Sequence, residues 1–419
     1  MSMESNKDPV EEEKFSFLQE KIKEEPLFSK KMLKWFLRMA ILGIVFGIMA
    51  CIGFYMIRPW AETIFEKHKS EITIPQDEEN FRDNEENVDR QDQSALTVED
   101  LNDSYKSLYS VVAQTQKSIV DVYGIHGNEG WIRETYDTVH SVSGVIIANT
   151  STEVLILSND SILEQSESID ISFCDGKKYP AHLKKCDKNI GMAVFGVEKR
   201  VIDSSTLSQI NTAVLGNSNH VREGDILIAL GKPFAFSGGI GYGVASTVKQ
   251  NITIEDGEYS LLLTDIPGNE EGSGFLCNIK GEIVGIIKPN LTNNQYVHST
   301  NALAISELKQ IIELLSNSKS VPYIGITGAE VTKEIQEKEG IPAGIYIKGV
   351  EADSPAMEAG IQNGDVITHI ENISVKTIMN YQRQLLKHEK GSIVKLSGLR
   401  RGNDGYVEIN FKVTVGSKE

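Results

Sequence analysis

The chain has 419 residues, enough for about two or three domains, with a hydrophobic fraction of 40% and an aromatic fraction of 7%. Such values exclude collagen-like, wholly disordered and polytopic membrane classes. A formal net charge of -17 argues against nucleic acid as a partner, because holding phosphate needs clustered Lys and Arg.

Residues 1–34 alternate acidic and basic clusters with few apolar side chains, a composition that cannot bury enough surface to order itself and reads as a tail. From Met39 to Ile57 the chain carries no charge, which predicts a transmembrane helix over 35–58. A cleaved signal peptide fits less well, since the run starts late and no small-x-small site precedes Pro59 and Trp60. Lys30, Lys31, Lys34 and Arg38 crowd its N-terminal flank, so the positive-inside rule places residues 1–34 in the cytoplasm. The expectation is a single-pass protein of the cell membrane with its later domains outside. Residues 59–104 turn strongly acidic and read as an extended, self-repelling extracytoplasmic tether.

Between 105 and 317, short runs such as SIVDVYGI, SVSGVIIA, EVLILS, MAVFGV, DILIALG and EIVGIIK alternate with Gly, Asn and Asp. That spacing indicates an all-β barrel or sandwich, closed by ISELKQIIELL at helical period. A second unit, 318–419, sets strand-like GIYIKGV, DVITHI, IVKLSGL and VEINFKV around two helical patterns, PAMEAGI and IMNYQRQLLKH. No repeat of solenoid period occurs. Cys51 lies in the apolar run, and Cys174, Cys186 and Cys277 read as free core thiols, because the Asp175-Gly176 turn keeps Cys174 out of register with Cys186. Without a Cys-x-x-Cys or Cys/His cluster, neither a metal nor a cofactor is expected.

Ser354-Pro355-Ala356-Met357-Glu358-Ala359-Gly360-Ile361-Gln362-Asn363-Gly364-Asp365-Val366-Ile367 is similar to the S-P-A-x-x-A-G-[IL]-x-x-G-D-x-I signature of bacterial-type PDZ domains. Pro355 can start a short helix, Gly360 can end it, and Gly364-Asp365 can turn into a buried strand. Upstream, Tyr323-Ile324-Gly325-Ile326 resembles the carboxylate-binding loop of HtrA-type PDZ domains. The resemblance implies that backbone N–H groups there receive a peptide C-terminus. In the middle unit, Ser141-Val142-Ser143-Gly144-Val145-Ile146-Ile147, Leu215-Gly216-Asn217-Ser218, Gly224-Asp225, Gly231-Lys232-Pro233-Phe234 and Gly243-Val244-Ala245-Ser246 follow the order of the HtrA/Deg protease domain. Together these resemblances imply a mostly β chain: a chymotrypsin-like double β-barrel over 105–317, then an α+β PDZ domain over 318–419.

The catalytic positions depart from that family. Where it reads L-T-N-x-H-V this chain has Leu157-Ser158-Asn159-Asp160-Ser161-Ile162, placing Ser161 at the general base. Where it reads T-D-L-A-V-L the chain has Ile190-Gly191-Met192-Ala193-Val194-Phe195, placing Gly191 at the acid. Around the nucleophile stands Glu271-Gly272-Ser273-Gly274-Phe275; counting from Thr264-Asp265 selects Ser273, and counting back from Gly281-Glu282 selects Gly272. Ser273 is the candidate nucleophile, with Glu271 and Gly272 in the oxyanion loop. A serine hydroxyl must be deprotonated as it attacks. His126, His140, His182, His220 and His298 all lie outside the motif that would aim an imidazole at it, and Lys184 or Lys232 could serve only as substitute bases. Glu270 and Glu271 would repel a developing oxyanion.

Three functions of different kind follow. One is a membrane-anchored pseudoprotease of envelope protein quality control that binds peptide C-termini or unfolded proteins. Another is an active serine endopeptidase using Ser273 with a relocated base. The third is a trimeric scaffold, because the resemblance implies a possible homotrimer joined through the region that Tyr105, Leu108 and Tyr109 occupy here.

Overall fold

Alternation of side chains explains why so many strands read as unbroken apolar runs. In Glu153–Asn159, Val154 and Ile156 face the interior of one barrel, while Leu155 and Leu157 face a second cluster that spans both barrels. A strand buried on both faces needs apolar residues at every position. The structure, a computed structural model, describes Arg38, Met39, Leu42, Met49 and residues 71–77, 98–125, 141–164, 166–289 and 298–419.

The first barrel consists of β1 (Ile119–Ile125), β2 (Ser141–Asn149), β3 (Glu153–Asn159), β4 (Ser168–Ser172), β5 (Lys178–Asp187) and β6 (Met192–Glu198), closed in the order β1-β2-β3-β6-β5-β4. A second six-stranded barrel is formed by β7 (Ile226–Lys232), β8 (Gly239–Ile254), β9 (Gly257–Pro267), β10 (Ser273–Cys277), β11 (Ile283–Ile287) and β12 (Ser299–Ala304), in the order β10-β11-β12-β9-β8-β7. Closure leaves neither barrel an unpaired edge. Leu155, Met192, Ile228, Leu230, Phe275 and Ile286 fill the seam between them, where each fully buried aliphatic side chain contributes roughly 1.5–3 kcal/mol.

Among the described residues, three α-helices accompany the barrels: α1 (Val98–Thr115), α2 (Ser204–Leu207) and α3 (Ile305–Ser316). On α1, Val112 is buried, whereas Tyr105 and Tyr109 are 67% and 68% exposed. Residues 71–77, inside the stretch read as tether, dock on α3. Ile74 is buried in the seam cluster, its N–H donates to Glu313 at 2.8 Å, and Lys309 pairs with Asp77 at 2.8 Å.

The C-terminal part is one sheet of β13 (Ile326–Glu330), β14 (Ile345–Val350), β15 (Val366–Ile370), β17 (Ile393–Gly402) and β18 (Gly405–Thr414), with β16 (Ile373–Ser374) paired to β15. It carries α4 (Lys333–Glu339), α5 (Pro355–Glu358) and α6 (Ile378–Leu385). As the PDZ-like signature requires, Ser354 caps α5 by accepting from Met357 N–H, and Gly360 leaves it at φ 82°. Asp365 is 1% exposed and holds Arg400 bidentately at 2.7 and 2.8 Å.

The architecture is therefore two six-stranded barrels and an α+β sheet, and the sequence expectation is corrected in two respects. Among the described residues, no helix is long and apolar enough to cross a membrane. The predicted membrane helix over 35–58 falls outside the described residues except for Arg38, Met39, Leu42 and Met49. The membrane anchor, the single-pass cell-membrane location and the cytoplasmic N-terminus are withdrawn with it. Cys174 also differs from expectation: it is exposed, while Cys186 and Cys277 are buried, and all three are free.

Candidate functional site

Between the barrels lies a cleft lined by Asn159, Asp160, Ser161, Gly191, Glu270, Glu271, Gly272, Ser273 and Lys288. β3 ends there in a short 3-10 turn, Asp160–Leu163, held because Asn159 Oδ1 accepts from the Ser161 N–H at 3.1 Å. Ser161 is exposed and Gly191, at φ 76°, sits across from it, its carbonyl accepting from the Asp160 N–H at 3.2 Å. The cleft thus brings together Ser161, Gly191 and Ser273, none of the three carrying an imidazole or a carboxylate.

Lys288 fills the space. It follows the buried strand β11, so its stem is drawn inward, and its Nζ donates to the Gly191 carbonyl and to Asn159 Oδ1, the latter at 3.1 Å. Burial holds its ammonium down to about 8, against the attraction of Asp160 and Asp187. A Cβ on Gly191 would collide with that Nζ and stand 3.0 Å from Asp160 Oδ1. Behind the cleft, burial pushes Asp187 up to about 7, and among the described residues its Oδ2 and the Asn189 Oδ1 meet no hydrogen-bond partner.

Ser273 opens β10, opposite Lys232 of β7, and is 4% exposed. Its Oγ accepts from the Ser143 N–H at 3.0 Å, and among the described residues no imidazole or ammonium reaches it. Gly272 has no room for a side chain, since a Cβ would lie 2.7 Å from the Pro233 carbonyl and 2.8 Å from that of Asn269. The oxyanion loop is spent internally. Gly272 N–H donates to the Asn269 carbonyl at 2.9 Å, and Glu271 N–H to Asn269 Oδ1 at 2.9 Å. Both substitute bases are engaged elsewhere: Lys184 pairs with Glu153 at 2.6 Å, and Lys232, although it faces Ser273 across the ladder, donates its ammonium to Ser141 O and Oγ at 2.8 and 2.6 Å. His298 lines an adjoining hollow beside Glu270 and Glu271.

The second site is the loop before β13. Tyr323 pairs with Gly416 across an isolated bridge and its hydroxyl donates to Glu351. Gly325 lies at φ 87°, and a Cβ there would meet Ser354 Cβ at 2.5 Å and the Tyr323 hydroxyl at 2.7 Å. Ile324 and Ile326 are buried in the sheet core, and the left-handed backbone at Gly325 between them breaks the alternation of an extended strand, so that three consecutive N–H groups point one way. These converge on the carboxylate of Asp256: Ile324 and Gly325 N–H donate to Oδ2 at 2.7 Å each, and Ile326 N–H to Oδ1 at 3.2 Å. Tyr381 of α6 adds its hydroxyl to Oδ1 at 2.8 Å. Sequence reasoning missed Asp256, Tyr381 and Lys288. A Glu-Asp-Gly turn between two β runs marks a hairpin tip, but nothing in it says what the tip touches.

Residues 142–286 match the model of the trypsin-like peptidase domain, and residues 322–411 match that of the PDZ domain. The chain is 27% identical over 344 residues to the serine protease Do-like HtrA of Bacillus subtilis, covering 77% of this chain and 72% of that protein. It is also 27% identical over 282 residues to a probable periplasmic serine endoprotease DegP-like of Halomonas elongata, covering 65% of this chain but only 56% of the relative. Among solved structures, the HtrA-type protease AlgW with decapeptide has the same fold at 20% identity, with a TM-score of 0.53 over 74% of this chain and 99% of that one. Over these residues the chain strongly matches the HtrA/DegP-type serine-protease fold, in which a trypsin-like peptidase domain is followed by a PDZ domain.

Proposed function

We propose that this chain is a peptide-binding pseudoprotease: a barrel unit over 105–317 without triad chemistry, and a PDZ unit over 318–419 that takes peptide C-termini or unfolded segments. The observation that carries this reading is the convergence of the Ile324, Gly325 and Ile326 N–H groups on one carboxylate, the group with which every peptide chain ends. Tyr323, Ile324, Gly325 and Ile326 are the peptide-binding residues, and β13 offers its edge for an added strand.

Lys288 supports the other half. A serine without a base gains little, and the ammonium stands where the imidazole and its orienting carboxylate would have to meet. Ser273, held by Ser143, is a buried structural hydroxyl. Assay of the full chain on unfolded casein and with a fluorophosphonate probe, beside Ser273→Ala, tests this. Neither protein should cleave or become labelled; labelling of the parent that vanishes in Ser273→Ala would establish an active peptidase instead.

A further inference from the structure

The carboxylate loop is already occupied, by the chain itself. Strands β8 and β9 pair out to Ile254 opposite Gly257, leaving Glu255 and Asp256 as a two-residue turn that reaches from the second barrel to the PDZ loop. Asp256 sits there at φ 59°, a left-handed conformation that aspartate tolerates, and is 6% exposed. Besides receiving the three loop N–H groups and the Tyr381 hydroxyl, it donates its own N–H to the Ile326 carbonyl at 2.8 Å. A carboxylate in the loop plus one strand-like bond to the residue that begins β13 is the pattern that the last residue of an added peptide strand would make.

We propose that Asp256 is an internal stand-in for a peptide C-terminus, so that a peptide enters the PDZ groove only by displacing the β8–β9 turn. This rests on the reading of residues 323–326 as a carboxylate receiver. The two carboxylates compete for the same three N–H groups, which have no capacity for both. Displacement also disturbs the neighbours of the turn. Gln382 of α6 donates to the Tyr259 hydroxyl of β9 at 2.8 Å, and Asn189 donates to the Glu255 carbonyl at 2.7 Å. Burial pushes the Asp256 carboxyl above its ordinary range and the loop N–H groups and Tyr381 draw it back, so this carboxylate depends on its partners for its charge.

The apparent affinity of any peptide is lowered by the fraction of molecules in which the turn has left the loop. Asp256→Gly deletes the carboxylate while suiting the left-handed turn position, which preserves the hairpin. The experiment measures fluorescence anisotropy of labelled octapeptides ending in Ala, Val, Leu, Ile or Phe, each as free acid and as C-terminal amide, against the full chain and Asp256→Gly. Hydrogen exchange of the Ile324 and Gly325 amides is followed without peptide. The variant should bind the free acids at least about tenfold more tightly than the parent, lose that binding on amidation, and exchange the two amides faster. Equal, amidation-sensitive affinity in both proteins would overturn the internal competition and leave the carboxylate loop standing. No amidation-sensitive binding to either protein would overturn the loop reading itself, and rapid exchange of both amides in the parent would refute the occupancy.

Discussion

Replacing Lys288 by methionine gives the most direct measure of what has happened in the cleft. In the folded chain burial holds this ammonium at about 8, against 10.5 ordinarily. Between those values the unfolded chain keeps the proton and the folded chain has released it, so the unfolded state binds more protons and stability rises with pH. Below about pH 8 both states are charged and folding carries the whole cost, about 3 kcal/mol from the difference between 10.5 and 8. Roughly 2 kcal/mol of that is recovered between about pH 7.5 and 9.5. Lys288→Met lacks this proton, so the stability of the parent minus that of the variant should climb by about 2 kcal/mol over the window. The subtraction removes the titration of groups that do not feel Lys288, whereas Asp160 and Asp187, whose carboxylates its charge favours, hold their protons to higher pH in the variant and add to the climb. Its absolute value at neutral pH is smaller, because methionine also leaves the Gly191 carbonyl and Asn159 Oδ1 without their donor, a loss of about 1–3 kcal/mol. Urea unfolding followed by circular dichroism at three pH values supplies the curve. A difference constant within about 0.5 kcal/mol would refute a buried ammonium in the place of the base.

Three further outcomes are expected. Ser161→His with Gly191→Asp should remain unlabelled by a fluorophosphonate, because a side chain introduced on Gly191 would meet Lys288 and Gly272 still offers no nucleophile; labelling would show that the cleft can rearrange. Gly325→Ala should destabilise the PDZ sheet by about 2 kcal/mol or more, through its positive φ and the close approach of Ser354, and an unchanged thermal midpoint would contradict this. Arg400→Ala should cost about 3 kcal/mol by stranding buried Asp365, whereas Arg400→Met with Asp365→Asn should cost clearly less in the same denaturation assay.

Motifs whose physics is local were legible in the sequence. The helix start at Pro355, the turn at Gly364-Asp365 and the apolar strands β3, β6 and β11 follow from capping, turn chemistry and burial on two faces. Gly191 and Ser161 were legible for the same reason, as wrong residue types inside ordered motifs. Polar, irregular or distant features were not. β5, KYPAHLKKCD, lacks an apolar pattern because much of it faces solvent, and α1 begins in sequence too acidic to show a helical stripe. The competing counts gave Ser273 and Gly272, and only packing shows that the Ser143 N–H donates to the Ser273 Oγ and that Gly272 has no room for a side chain. Lys288 and Asp256 act on partners far along the chain, Lys288 on Gly191 and Asp256 on the loop at 324–326, and no window of sequence contains both ends of such a contact.

The β8–β9 turn also changes what mutation can do to the second barrel. A barrel is ordinarily free to drift wherever its core tolerates it. Here the barrel supplies a side chain that completes another domain, so Asp256 and its supports Tyr259 and Asn189 should behave in a saturation scan as though they belonged to the PDZ unit. Their tolerance should track that of Tyr381 and Gly325 rather than that of Ser161 or Ser273, and the hairpin should be the last part of the barrel that the chain can lose.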